Sequence, residues 1–245
     1  MNTRLQKLLA DFGYASRRTV EKWIVTGRIQ LNGKTAQLGD RADLTKDKLT
    51  LDGKSISADS QKNETQLILY HKPVGEICSR SDPQYRPTIF EQLPHLKKGR
   101  WINVGRLDIN SSGLLLLTND GDLANRLMHP KHLIEREYLA RVLGKLTTQQ
   151  CEQLKKGMRL EDGMAKFKAV GTSRGLPLPD EKGEGANHWY SVTIMEGRNR
   201  LVRRLFESQG LQVNRLIRIR FGDIMLPRDL KPGKFRFCSA AKLFH

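Results

Sequence analysis

The beginning of the chain carries two helical patterns of apolar residues. Between positions 5 and 12 these residues recur at the spacing of one face of an amphipathic helix, and Gly13 follows where that helix would end. A second helix is predicted to begin after Ser16, a suitable N-cap residue, and to end at Gly27. We therefore expect two short helices in succession.

Two strand patterns follow the helices. Ile29 and Leu31 alternate with polar neighbours and lead into Asn32-Gly33. Residues 49–51 lead in the same way into Asp52-Gly53. Both dipeptides accept positive φ and are typical of tight turns between strands. The first part of the chain is therefore predicted to be a small helix-helix-strand module.

A polar segment separates this module from a longer region of mixed patterns. Residues 57–65 contain one apolar residue, which is typical of a linker, and we place the linker at 59–65. After it, extended blocks alternate with two helical patterns; the blocks are 66–70, 113–118, 137–142 and 189–195, and the helices are 122–128 and 200–208. This order predicts an α+β fold, with a mixed, mainly antiparallel sheet and flanking helices. The predicted domains are therefore 1–58 and 66–245.

Composition excludes several classes of protein. The longest purely apolar run, 114–117, is far shorter than the roughly 20 residues of a membrane helix. Residues 1–10 lack the apolar core of a secretory signal, so we expect a cytoplasmic protein. The three cysteines have no short-spaced partner, which argues against both a disulfide framework and a zinc site.

The charge of the chain points to a polyanionic partner. Lys and Arg number 43 against 26 Asp and Glu, a formal net charge of +17. A solvated basic surface would give the same total. Clustering favours nucleic acid instead, because residues 197–220 hold seven arginines and a single acidic residue, Glu207.

The segment with the clearest chemical signature runs from Val104 to Gly121. It is predicted to be a strand that ends in Arg106 and Asp108, then a polar turn and a buried strand of leucines. Residues two apart on a strand point the same way, so this acid and base could share one site. The alternative is that Asp108 only caps the turn, the more common role for an aspartate there.

Longer strings of sequence resemble known families. Residues 4–9, 15–18 and 27–34 are similar to an S4-type RNA-binding domain. The string GRLDINSSGLLLLTNDG at 105–121 resembles the catalytic motif of pseudouridine synthases, in the branch with an S4 domain that modifies ribosomal RNA. The similarity continues through Lys72-Pro73, Arg136-Glu137-Tyr138, 196–204 and 215–218. It implies conversion of uridine to its C-glycoside isomer within RNA, without a cofactor or metal.

The resemblance also implies roles for individual residues. Asp108 is the essential carboxylate, acting either on C1′ of the ribose or by removing a sugar proton. Arg203 is the guanidinium expected to keep it ionised, although spacing alone does not distinguish Arg203 from Arg204. Tyr138 is expected to stack on the uracil, whereas a tyrosine in a strand is more often a core residue. Arg106 is expected to fill the gap left by the extruded base.

The expected partner is ribosomal RNA. The 100–108 and 214–223 segments resemble the bacterial branch that acts on the large subunit, so 23S rRNA in precursor particles is the expected substrate of a monomeric enzyme. A small-subunit 16S enzyme and a non-catalytic RNA-binding assembly factor are the alternatives. The predicted RNA contacts are basic or hydrogen-bonding side chains: Arg4, Lys7, Ser16, Arg17, Arg18, Arg28, Asn32, Lys34, Lys72, Arg198, Arg200 and Arg204.

Overall fold

The computed structural model describes residues 2–56, 64–96, 98–171 and 187–239. The chain divides into two units: the first comprises Met1–Thr65, Pro94–Ile102 and Asn119–Gly121, and the second comprises Gln66–Leu93, Asn103–Thr118 and Asp122–His245. The first unit thus takes in two segments from later in the chain. The predicted linker falls mostly on residues 59–63, outside the described ranges, and the predicted domain boundaries stay predictions.

The first unit begins with a helical pair followed by short strands. Its elements are β1 (Thr3–Arg4), α1 (Leu5–Asp11), α2 (Arg17–Val25), β2 (Ile29–Leu31), β3 (Lys34–Thr35), β4 (Arg41–Ala42), β5 (Leu49–Leu51) and β6 (Lys54–Ile56). Strands β3, β2, β5 and β6 form an antiparallel sheet in that order, and β1 pairs with β4.

The predicted local signals of this unit are confirmed. The Ser16 hydroxyl accepts a hydrogen bond from the Thr19 amide at 3.0 Å, as an N-cap does. Asn32 and Gly33 both have positive φ, at 52° and 83°, which suits the tight turn between β2 and β3. The apolar faces of both helices pack into one core with β2 and β5.

The rest of the chain contributes the larger set of elements. The strands are β7 (Leu67–Lys72), β8 (Ile102–Val104), β9 (Ser111–Thr118), β10 (Arg136–Leu143), β11 (Met158–Leu160), β12 (Gly163–Ala165), β13 (Ala169–Gly171), β14 (Asn187–Ile194), β15 (Gln212–Phe221), β16 (Ile224–Met225) and β17 (Phe235–Cys238). The helices are α3 (Gly121–Met128), α4 (Thr148–Lys156) and α5 (Leu201–Glu207), with a 3-10 turn at Pro130–His132.

A mixed sheet dominates the second unit, as predicted. Among the described residues it has nine strands, in the order β13-β14-β10-β15-β9-β7-β17, with β16 on β15 and β8 on β9. Within the described residues β15 and β9 pair in parallel along this path; the register joins Leu216 to Ser111 and Arg218 to Gly113. All eight residues of β9 are buried, because this strand lies in the middle of the sheet.

The parallel contact between β9 and β15 depends on Gly113. A Cβ atom at this position would lie 2.2 Å from the carbonyl oxygen of Arg218, and the glycine has a φ of +108°. Both the space and the backbone conformation therefore require a residue without a side chain. Gly113 fixes how closely the two strands approach beneath the site described below.

The helical and extended patterns in the sequence locate the main helices and strands correctly. Several short helices and strands of the structure were not predicted. Helix α4 begins with a capping box between Thr147 and Gln150, but only Leu154 is buried in it, so its apolar stripe is weak. The hairpin strands β11 and β12 are three residues each. In the described part of the chain, no helix has the length and apolar character needed to cross a membrane.

Candidate active site

An open cavity of about 450 Å³ lies in the second unit, over the face of the sheet formed by β10, β15 and β9. Its lining includes five arginines and one carboxylate, that of Asp108; the arginines are Arg106, Arg136, Arg198, Arg200 and Arg218. An excess of guanidinium groups around one acid creates a positive potential suited to an anionic ligand such as RNA.

Asp108 lies on the turn that joins β8 to β9. The prediction that it ends a strand is wrong: β8 stops at Val104, so strand alternation does not orient Arg106 and Asp108. Both nevertheless line the main cavity and a second cavity of about 320 Å³ beside it. Within the described ranges the Asp108 carboxylate has no hydrogen-bond partner, so it remains available to a ligand.

Backbone hydrogen bonds hold this turn in place. The Asp108 carbonyl oxygen accepts from the Ser111 amide at 3.0 Å and from Lys72 Nζ at 3.1 Å. The Cys78 sulfur contacts Leu107 on both sides, accepting from its amide at 3.5 Å and donating to its carbonyl at 3.4 Å. Burial raises the pKa of the Cys78 thiol, which favours the neutral donor.

Lys72 is misassigned by the sequence prediction as an RNA contact. Its side chain is fully buried, and Nζ donates to the carbonyls of Pro73, Asp108 and Ser111 at 2.8 to 3.1 Å. Burial lowers the pKa of its ammonium group. Lys72 is therefore not accessible to RNA. Its hydrogen bonds to the Asp108 and Ser111 carbonyls instead connect β7 to the Asp108 turn.

Arg203, on α5, contacts the backbone of the turn that carries Asp108. Its guanidinium donates to the Val213 carbonyl at 2.5 Å and to the Asn110 carbonyl at 2.9 Å. No hydrogen bond or ion pair joins Arg203 to Asp108 among the described residues. Burial lowers the pKa of Arg203, although the negative charge of Asp108 acts to raise it. Arg203 supports the same turn two residues further on. The role of Arg203 in keeping Asp108 ionised stays a prediction.

The neighbouring arginines pair with an acidic turn outside the cavity floor. Arg204 binds both carboxylate oxygens of Asp162 at 2.8 Å. Arg198 donates to the Met164 carbonyl at 2.7 Å and to Asp162 at 3.0 Å. These bonds attach the β11–β12 hairpin to the start of α5. Arg200, which precedes α5 with a φ of +49°, pairs with Glu207 at 3.1 Å.

Tyr138 and Arg136 lie two residues apart on β10 and both line the cavity, as strand alternation predicts. Arg136 donates to the carbonyls of Ile134 and Met195, and its guanidinium lies 5.0 Å from the centre of the Phe221 ring. The Tyr138 hydroxyl has no hydrogen bond to any residue that the structure describes. The ring and its hydroxyl are thus free to contact a ligand.

Two further cavity residues were not among the predicted site residues. Arg218 on β15 is 2% exposed, and Ser111 at the start of β9 is 1% exposed. In sequence, Arg218 sits among alternating apolar and basic residues and is typical of a solvent-facing position. It is buried because β15 lies between β10 and β9, so neighbouring strands and the elements packed on them cover it.

The predicted RNA contacts of the first unit differ in their exposure and in the contacts that they make within the unit. Arg4, Arg17, Arg18 and Lys34 are exposed, and Arg17 lies 3.9 Å from the carboxylate of Asp11. Others form internal contacts: Ser16 caps α2, Lys7 pairs with Asp11, Arg28 binds Asp52 with two hydrogen bonds, and Asn32 binds Asp47 and the Lys48 amide. An RNA role for any of these residues stays a prediction.

Comparisons with known proteins identify the family of the chain. Residues 66–208 match the family described as RNA pseudouridylate synthase, and residues 3–47 match the S4 domain. The chain therefore belongs to the RNA pseudouridylate synthase family. A solved structure titled "Crystal structure of pseudouridylate synthase" superposes with a TM-score of 0.65 at 25% identity, covering 98% of both chains.

Curated relatives extend the match over most of the chain. A protein of Pseudomonas aeruginosa named "Ribosomal large subunit pseudouridine synthase B" is 52% identical over 234 residues, which is 95% of this chain and 58% of the relative. A protein of Yersinia pestis with the same name is 50% identical over 235 residues, covering 95% of this chain and 71% of the relative. The chain thus spans little more than half the length of the first of these proteins.

Proposed function

We propose that this protein isomerises a specific uridine to pseudouridine in the RNA of the large ribosomal subunit. The observation that carries the proposal is the unpartnered carboxylate of Asp108, held by its backbone at a basic cavity that Tyr138 also lines. Family membership supports the reaction, and the names of the two relatives support the large subunit.

The reaction exchanges one bond to the ribose for another. The C1′–N1 bond breaks with its electron pair on the uracil, the uracil turns, and C5 bonds to C1′. C5 then loses its proton and N1 gains one, so the composition of the nucleotide is unchanged and no cofactor is needed. Asp108 either bonds to C1′ until C5 replaces it, or removes a sugar proton and returns it.

Tyr138 acts on the uracil, and Arg106 acts on the RNA from which the uracil has been extruded. The Tyr138 ring stacks on the uracil, and its hydroxyl is available to help remove the C5 proton. Uridine inside folded RNA is stacked, so its base must leave the helix before C1′ is accessible. Arg106 is exposed beside Asp108 and fills the space that the base vacates.

Recognition of the RNA is shared between the two units. The exposed arginines and Lys34 of the S4 unit contact phosphates, and RNA shape together with unpaired loops gives the specificity. We propose 23S rRNA in precursor particles as the substrate and a cytoplasmic monomer as the enzyme. A 16S substrate is the nearest alternative within the family.

The test is site-resolved mapping of pseudouridine in ribosomal RNA from cells that lack the protein. Complementation uses wild type or Asp108→Asn, which keeps the size of the side chain and removes its charge. We expect one large-subunit site to vanish and to return with wild type only. A lost site in 16S rRNA would reassign the substrate, and no lost site would favour a non-catalytic assembly factor.

Binding measurements on the same variant test the role of Asp108. Because its carboxylate forms no internal hydrogen bond in the described structure, Asp108→Asn should leave RNA affinity within about threefold while isomerisation is lost. A parallel loss of affinity and activity would instead mean that Asp108 is a structural residue.

A further inference from the structure

The floor of the cavity contains two buried polar groups without partners. Arg218 forms one hydrogen bond among the described residues, from Nε to the Leu114 carbonyl at 2.6 Å, and its Nη2 is enclosed without an acceptor. The Ser111 hydroxyl is enclosed and unpartnered as well. Burying such groups without hydrogen bonds is costly, most of all for a guanidinium, so each needs a physical explanation.

These two groups lie on one face of the sheet. In the register of β15 with β9, Leu216 is opposite Ser111 and Arg218 is opposite Gly113, while Tyr138 of β10 is opposite Arg218 on its other side. Directly paired residues project from the same face, and all but Gly113 line the cavity. Ser111 and Arg218 therefore both face the cavity, from neighbouring strands.

We propose that Arg218 and Ser111 bind the Watson–Crick edge of the extruded uracil, and that Arg218 with Arg136 stabilises its negative charge while it is detached. This rests on the proposed function. The edge of uracil presents two carbonyl oxygens, O2 and O4, on either side of the N3–H donor. A guanidinium donates to a carbonyl, and a serine hydroxyl can accept from N3–H. Cytosine presents the opposite pattern at N3 and N4.

The charge argument follows from the bond that breaks. When C1′–N1 cleaves, the electron pair stays on the uracil, and the charge spreads over O2 and O4. Arg136 and Arg218 lie 5.0 and 5.5 Å from the centre of the same Phe221 ring, and no ion pair involves either of them in the described part of the chain. Two uncompensated buried cations are thus already placed where negative charge develops.

A phosphate is the other anion that could occupy this position. The burial of Arg218 and Ser111 disfavours a phosphate there. The phosphates of a continuous RNA strand would stay near the opening of the cavity, where Arg106 and Arg200 are exposed. Asp108 in the same cavity would also repel a fully charged phosphate. A base turned out of the helix is the part of RNA that enters deepest.

The first experiment compares single-turnover rates and RNA affinities for Arg218→Met and Arg218→Lys. Arg218→Met should lower the rate at saturating enzyme about 100-fold, as removal of one donor to a developing anion does, with Kd within about threefold. Arg218→Lys keeps the charge and should recover part of the rate. Arg141→Met, an exposed arginine on β10, is the matched control and should behave as wild type.

Three outcomes would overturn the proposal or part of it. Weaker binding of Arg218→Met at an unchanged rate, with a salt slope reduced by about one, would identify a phosphate contact. An unchanged rate and affinity would leave Arg218 without a role in the reaction. If wild type itself converts no uridine, the proposed function fails first, which is a distinct result.

A second measurement does not depend on the stability of the Arg218 variants. Ser111→Ala is assayed on RNA carrying uridine or 3-deazauridine at the target, the latter replacing N3–H by C–H. Loss of one hydrogen bond should slow the uridine reaction about 2- to 10-fold and leave the 3-deazauridine reaction unaffected by the substitution. An equal effect on both substrates would rule out a bond between Ser111 and N3.

Discussion

At the scale of a single residue, substitution of Lys72 tests whether its side chain supports the Asp108 turn or contacts RNA. Lys72→Met removes the ammonium group that donates to three carbonyl oxygens. Buried carbonyls without a hydrogen bond destabilise the fold, so the free energy of unfolding should fall by about 2–4 kcal/mol. Displacement of the Asp108 turn should slow isomerisation about 10- to 100-fold. Urea denaturation and single-turnover assays measure the two effects.

RNA affinity decides between the two interpretations of Lys72. A residue with no exposed surface should leave Kd within about twofold, whereas a phosphate contact would weaken binding and lower its dependence on salt. Lys145→Met, at an exposed position, serves as the control for loss of one charge. Weakened binding by Lys72→Met with an intact rate would restore the original interpretation.

Lys72 also shows where residue-level prediction reaches its limit. Basic residues are usually exposed, so a lysine in a basic protein is reasonably assigned to RNA. Its three acceptors come from Pro73, Asp108 and Ser111, two of which are more than thirty positions away in sequence. Such a site is specified only by the folded backbone, which the local pattern does not contain. Asp108 and Tyr138, in contrast, lie in contiguous motifs, and the structure places both in the lining of the cavity.

At the scale of elements, the parallel pairing of β9 with β15 depends on a single glycine. Gly113→Ala would place a Cβ 2.2 Å from the Arg218 carbonyl oxygen and force alanine to a φ near +108°. We expect the free energy of unfolding to fall by about 3 kcal/mol or more, because the contact is with backbone that cannot rotate away. Thermal or urea denaturation provides the measurement.

Gly171→Ala is the matched control for this substitution. Gly171 also lies in a strand of the sheet, but no atom of the described residues is within 4 Å of a Cβ built there, and its φ is not in the left-handed range. It should therefore change stability by less than about 1 kcal/mol. Equal effects at the two glycines would mean that the close approach of β9 and β15 adjusts without cost.

Strands and helices with strong periodicity could be predicted, and those defined by tertiary pairing could not. The leucine strand β9 and the helices α1 and α2 follow from their apolar spacing alone. The short strands β13 and β17 are recognisable only by their partners, β14 and β7. The sequence predicts strand at Arg106–Asp108 because the alternation of Val104, Arg106 and Asp108 continues beyond Val104, where β8 ends.

At the scale of the whole molecule, the net charge of +17 has both a structural and a binding component. Several arginines of the 197–220 segment are used internally: Arg203 and Arg218 bind carbonyls, and Arg204 and Arg220 bind carboxylates. Fewer cations of the 197–220 segment are therefore available to RNA than its seven arginines suggest. The exposed cations of the S4 unit are consequently expected to carry more of the phosphate binding.

Salt dependence of RNA binding tests this division of charge. Each lost phosphate contact should lower the slope of log Kd against log salt concentration by about 0.7–0.9, so the triple variant Arg17→Gln, Arg18→Gln, Lys34→Gln should lower it by about 2–3. Arg141→Gln, Lys145→Gln and Lys156→Gln together remove the same charge from exposed positions of the second unit and should leave the slope nearly unchanged. If both triple variants lower the slope equally, binding depends on net charge, and the S4 unit does not provide a distinct phosphate-binding face.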